Sequence, residues 1–223
     1  MKENYFKKYP NKDGFFNDYG GAFIPPNLEE EMKKMNDGSV EPKSSLNSIN
    51  SALIKNLSVE KGITIIAGAP LVMEAQLFIG AFIINADSTV QVYTKQFLHD
   101  GEEVVYMPNN KWNPIIEIDG QKCSIAICAD ITDPSHPNNA KQNKVSIYLA
   151  SLFYTKSGIE KGCASLLHYA ATYNMHILMA NFVGTSYGFE SGGKTSFWNN
   201  SGELVKQLDD KSDRLLLIDL NDL

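Results

Sequence analysis

The chain of 223 residues predicts an α/β fold with mixed sheets, one sheet layered on a second. Three observations predict it. KCSIAICAD, residues 122–130, carries small or apolar residues on both alternating faces, as a strand covered on both sides requires. Turn residues at Asp87-Ser88 and at Gly120 divide neighbouring apolar runs into hairpins. Between the strands lies a helical pattern over about 158–173, with Ile159, Cys163, Leu166, Leu167 and Ala170 on one face.

Taken in order, residues 1–42 read as an atypical N-terminal segment and linker, and 43–223 as one domain. The segment is rich in aromatics from Tyr5 to Phe23, and Pro25-Pro26 precedes a short helix at NLEEEMKKM. NDGSVEPKSS, residues 36–45, is polar with Gly and Pro and reads as the linker. Leu46, Ile49, Leu53 and Leu57 fall on one helical face, stopped by Gly62. GITIIAGAP is a buried strand closed by Gly-Ala-Pro. QLFIGAFIINAD and STVQVYTKQ form a first hairpin; Asn113–Asp119 and Gln121–Cys128 form a second. After Cys128, Pro134 marks a turn. VSIYLAS and MHILMAN are further strands, and TSFWNN, GELVKQL and RLLLIDL supply short closing ones.

Composition narrows the function. A net charge of −6 and no Lys/Arg run argue against a nucleic-acid surface. Nothing approaches a membrane-spanning apolar stretch, and the N-terminus lacks the apolar core of a signal peptide. Three widely spaced cysteines make no disulfide framework, so a reducing cytoplasm is the expected address. Four scattered histidines, His99, His136, His168 and His176, offer no metal-ligand spacing and read as loop or terminus residues.

Cys128 closes its strand, where a thiol is rigidly held yet can open toward solvent. By itself it reads as a small buried hydrophobe, as Cys123 and Cys163 do. Lys95 by itself reads as a solvated strand end. Together the two are more telling. Tyr93, Lys95 and Leu98 with the Glu102–Glu103 pair, then Cys128 and Asp130, then Ala180, Asn181 and Gly184, then SGGKTSFWNNSGEL, stand in that order. In this the chain resembles the carbon–nitrogen hydrolase (nitrilase) superfamily over roughly residues 45–220.

The resemblance implies a four-layer α-β-β-α sandwich, dimeric through its outer helices, acting on a small amide, carbamoyl or nitrile substrate without a cofactor. It implies Cys128 as nucleophile, Lys95 as the cation facing the developing oxyanion, and the backbone N–H of Ala129 assisting. A second glutamate orienting the lysine maps onto Glu103, with Glu102 one residue out of register. Asn181 falls where the substrate would bind; Trp198 and Trp112 are candidates for the pocket wall, with a structural role as the alternative reading of both.

The pattern breaks in one place. The family's general-base glutamate ends its second strand, and spacing from Gly68 puts it near residue 26, where the chain reads Phe23-Ile24-Pro25-Pro26-Asn27. The first strand and helix have no room. GFFNDYGGAFIPPNLEEEM instead resembles the opening of tryptophan synthase β chains, without that enzyme's cofactor motifs downstream. A catalytically impaired remnant of the fold is therefore the rival expectation.

Overall fold

The computed structural model describes residues 52–73, 76–109, 114–186, 188–212 and 214–219. The expected helix at NLEEEMKKM, the linker, the boundary at 42/43, Leu46, Ile49 and Trp112 lie outside the described residues.

Helix α1 (Ala52–Lys61) ends at Gly62, whose φ of +63° suits a residue without a side chain. Its buried side carries Ile54 and Ser58, while Leu57 is exposed; the expected stripe is turned by one position. Ser58 accounts for the shift. Its hydroxyl lies 2.6 Å from Ile63 O and 3.2 Å from Ile84 O, tying the helix to the strand beneath. Strands β1 (Ile65–Met73), β2 (Gln76–Ile84) and β3 (Val90–Thr94) form an antiparallel sheet in the order β1-β2-β3. β1 runs on through the expected stop at Pro70. Proline is tolerated because β1 is an edge among the described strands.

The larger sheet has the order β11-β10-β7-β6-β5-β4. β4 (Ile116–Ile118) and β5 (Gln121–Ile127) make the expected hairpin, with Asp119 and Gly120 both at positive φ. β5, β6 (Ile147–Leu152) and β7 (His176–Asn181) run parallel. Right-handed crossovers are the usual joins for such strands, and two helices serve here: α2 (Ser135–Gln142) and α3 (Ile159–Tyr173). β8 (Thr185–Ser186) and β9 (Phe189–Glu190) form a small separate hairpin before β10 (Ser196–Trp198) and β11 (Leu204–Gln207) return antiparallel. RLLLIDL does not pair: its described residues lie outside every strand, with Leu215 and Leu217 mostly exposed.

Alternation sorts the layers. Ala81, Ile83 and Tyr93 meet Cys123, Ile125 and Ile147 between the two sheets. Leu71, Phe78, Phe82 and Ile84 face outward toward Ile54 of α1. Ala126, Tyr148, Ala150, Ile177 and Met179 face α2 and α3, where Leu166, Tyr169 and Ala170 cover them. Full burial of a side chain such as Leu166 contributes about 1.5–3 kcal/mol. The result is the α-β-β-α layering, with the C-terminal ends of the parallel strands opening into one cleft.

Candidate active site

Cys128 stands where β5 stops and a single 3-10 turn (Cys128–Thr132) begins. Its φ is +47°, a left-handed conformation that costs a non-glycine residue about 1–3 kcal/mol and is kept only where neighbours impose it. The neighbours are identifiable. Thr132 Oγ1 donates to Ala129 O at 2.7 Å, and Asp130 Oδ2 accepts the N–H of Ile127 at 2.8 Å. The chain thus folds back and leaves Cys128 half-buried on the cleft wall. Ala129 lies in the first turn, where N–H groups have no partner within the helix.

Lys95 follows β3 directly and is 1% exposed, against its reading as a solvated strand end. Its N–H bonds Ile79 O at 2.8 Å, and its carbonyl accepts Asn109 N–H at 3.0 Å. Nζ donates to Glu102 Oε2 at 2.6 Å, and the same oxygen accepts His99 N–H at 2.8 Å. A buried ammonium needs such a partner. The expected partner was Glu103; the structure corrects this by one residue. Glu103 Oε2 accepts the N–H of Gly101 at 2.7 Å instead. Gly101, at φ +93°, caps the 3-10 turn Glu102–Val104, and that turn swings Glu102 inward.

Lys95, Glu102, Cys128 and Ala129 line one cleft of about 1140 Å³ between the sheets. His99, Tyr106, Thr132 and Tyr154 share its polar wall. None of these four was singled out from the sequence, because no motif marks a residue brought to a cleft by loop geometry.

Asp130 joins the two halves of the site. Completely buried, it accepts the N–H groups of Gln96 and Phe97 at 2.9 Å each, as well as that of Ile127. One carboxylate therefore holds the backbone just after Lys95 and the backbone just before Cys128. Its fourth donor is Tyr93 Oη at 2.5 Å. Burial, with Asp130 adding its charge, pushes the Tyr93 hydroxyl well above the usual tyrosine range.

Two expected substrate contacts, Asn181 and Trp198, stand outside the cleft lining. The Asn181 amide is spent on backbone: Oδ1 accepts Tyr154 N–H at 2.9 Å, and Nδ2 donates to Tyr154 O and Gly193 O at 3.0 Å each. It pins the cleft wall from behind, and Ala180 lines the cleft in its place. Trp198 is 2% exposed in the core between the larger sheet and the helices, the face away from the cleft. Cys123 is buried between the sheets as expected, and burial pushes its thiol up to about 11. Burial and Glu160 raise Cys163 as well, with Lys194 opposing.

The comparisons agree with this fold. An amidase from Nesterenkonia sp. AN1 superposes with a TM-score of 0.67 at 18% identity, over 85% of this chain and 71% of that one. A CN-hydrolase superfamily protein from Xanthomonas campestris gives 0.67 at 16% identity, over 74% of this chain and 65% of that one. A nitrilase-superfamily member from Saccharomyces cerevisiae gives 0.65 at 14% identity, over 72% and 60%. The chain spans 62% of the same amidase solved with butyramide, so it is shorter in matched length than such proteins. A stretch of 49 residues, 22% of this chain, is 39% identical to tryptophan synthase beta chain 1 of Wolinella succinogenes, covering 12% of that protein. The carbon–nitrogen hydrolase family model matches residues 22–222. The chain belongs to the carbon–nitrogen hydrolase family.

Proposed function

We propose that the protein hydrolyses a non-peptide C–N bond in a small amide, carbamoyl or nitrile substrate, with Cys128 as the nucleophile. The observation that carries this reading is a lysine at 1% exposure, ion-paired with Glu102, lining the same cleft as a cysteine held at a strand-to-turn corner. In the proposed reaction the Cys128 sulfur bonds to the carbonyl carbon, and the π pair moves onto oxygen. The Lys95 ammonium and the Ala129 N–H stabilise that oxyanion. From an amide, protonation of the leaving nitrogen and collapse of the tetrahedral adduct release it and give a thioester. A nitrile instead adds the thiol across its C≡N bond to give a thioimidate, which one water converts to the thioester with loss of ammonia. A further water releases the acid and the free thiol. Every step moves protons and electron pairs only, so the reading names no cofactor. Ammonia release from a panel of small amides tests it: Cys128→Ala is expected to reduce release to background, and unchanged release would end the proposal.

One observation favours a second reading. Among the described residues lining the cleft, Glu102 is the one carboxylate, and Lys95 and His99 already engage it. With no separate base, proton delivery would lose about 10²–10⁴-fold, leaving an impaired relative of the family. Cys128 that reacts with iodoacetamide while no amide is turned over would support that reading; multiple turnover would remove it.

We further propose a cytoplasmic homodimer, with residues 43–223 as its folding unit. No described helix is long and apolar enough to cross a membrane. Sedimentation velocity on the full chain and on 43–223 checks both: two dimers are expected, and a monomer or an aggregate from either would contradict it.

A further inference from the structure

We propose that His136 is a positioning residue for the Cys128–Lys95 pair, acting through Tyr93 and Asp130. The inference deepens the hydrolase reading, but its main test does not require turnover.

Four side chains form a line through the protein interior. Tyr148 (β6) lies 2.6 Å from His136 Nδ1, His136 Nε2 lies 2.9 Å from Tyr93 Oη, and Tyr93 lies 2.5 Å from Asp130. None is more than 3% exposed. The proton order follows from counting donors. The single Tyr93 proton goes to the carboxylate, so Tyr93 Oη must accept from His136 Nε2–H. Neutral His136 then has a bare Nδ1, which accepts the Tyr148 proton. All three bonds run in one direction, from Tyr148 on the larger sheet through His136 of α2 and Tyr93 of the smaller sheet to Asp130 in the turn after β5.

The line ends on the residue that spaces the site. Asp130 holds Ile127, Gln96 and Phe97 by their N–H groups, so its placement sets where Cys128 and Lys95 stand relative to each other. Shifting a reacting group by an ångström costs about 10²-fold. Adding a proton to His136 would put Nδ1–H against the Tyr148 hydroxyl, which would have to turn its own proton into the core cluster around it. The groups facing the ring are Tyr93 from β3, Tyr148 from β6, Asp130 from the 3-10 turn, and Phe97 edge-on at 6.3 Å; Asp133, just before α2, adds its charge. Burial lowers the imidazole below its ordinary value, and Asp130 and Asp133 oppose that only in part. The sequence marked His136 only as one of four scattered loop or terminus residues.

The experiment uses the full chain and three variants. His136→Phe keeps a flat ring but no hydrogen bond; His136→Gln can still donate to Tyr93 and accept from Tyr148; Tyr93→Phe removes only the central hydroxyl. Alkylation of Cys128 by iodoacetamide is followed from pH 5 to 9, located by peptide mass, with melting temperatures alongside. Imidazole ¹⁵N spectra report the tautomer. The expected results are the Nε2–H tautomer, Cys128 alkylation slowed about tenfold or more or moved to higher pH in His136→Phe, and recovery of most of that loss in His136→Gln. An Nδ1–H tautomer overturns the proposal. So do equal losses of melting temperature in both His136 variants with a wild-type alkylation profile. If His136→Phe does not fold, Tyr93→Phe carries the same expectation, and its unchanged profile overturns it. Alkylation needs no substrate, so absence of amide turnover would fault the hydrolase reading and leave this result standing.

Discussion

Lys95 Nζ and Glu102 Oε2 lie 2.6 Å apart across a seven-residue turn, the lysine 1% exposed and the glutamate 28%. This pair turns a lysine that looks like a strand end into a cation held in a cleft. Glu102→Gln leaves Lys95 buried with a weaker partner. Amide hydrolysis is expected to fall about 10²-fold or more, while Glu103→Gln, which disturbs only the Gly101 cap, stays near wild type. Steady-state rates on one amide separate the two. Equal losses would return the role to the sequence register that Glu103 represents.

Asn181 gives a second prediction, against its expected role as a substrate contact. Asn181→Ala removes three side-chain bonds to the backbone of Tyr154 and Gly193. Stability is expected to fall by about 1–3 kcal/mol, with Cys128 still open to iodoacetamide. Chemical denaturation measures the loss; a normal melting curve with a raised KM would reinstate the substrate contact.

How much could be read from the chain alone depends on what range of contact each residue needs. The β2–β3 and β4–β5 hairpins, β6, β7 and α3 were legible, since alternation and Asp-Gly or Asp-Ser turns are local signals. Lys95 and Cys128 were legible only as members of an ordered series of motifs. The Glu102 register was not, because a 3-10 turn rotates each residue by about 120° and one step decides which carboxylate faces inward. The placement of Asn181 and Trp198 was not legible because sequence gives alternation but not which face is cleft and which is core. Helix α2, SHPNNAKQ, was missed because it is short, lacks apolar periodicity, and carries a Pro and two Asn ahead of its good helix formers Ala140, Lys141 and Gln142. RLLLIDL was read as a strand on apolarity alone, and strands also need a partner edge.

Stability should also depend on pH through His136. Burial holds its folded-state value below the ordinary one, so between the two the unfolded chain binds more protons than the folded protein. The His136 contribution is therefore fully present above the ordinary histidine value and lost as pH falls toward the depressed one. Melting temperatures from pH 8 to 5 should drop more steeply in wild type than in His136→Gln. Parallel curves would contradict this.

The close packing of β2 on β3 makes Gly80 sensitive. A Cβ there would lie 2.3 Å from Tyr93 O and 2.4 Å from Leu71 Cδ1. Backbone cannot yield cheaply, so Gly80→Ala is expected to cost about 1–3 kcal/mol or more and to loosen the strand leading into Lys95. Denaturant midpoints check it; a change within experimental error would mean the strands part readily.

The central claim is that one sulfur carries the acyl group while one buried ammonium faces its oxygen. Acid-quenching the protein with a slowly hydrolysed amide, then weighing its peptides, tests this most directly. The account predicts an acyl mass on the Cys128 peptide that is lost in Lys95→Met. Product formed with Cys128 unmodified at every time point, or an undiminished adduct in Lys95→Met, would contradict it.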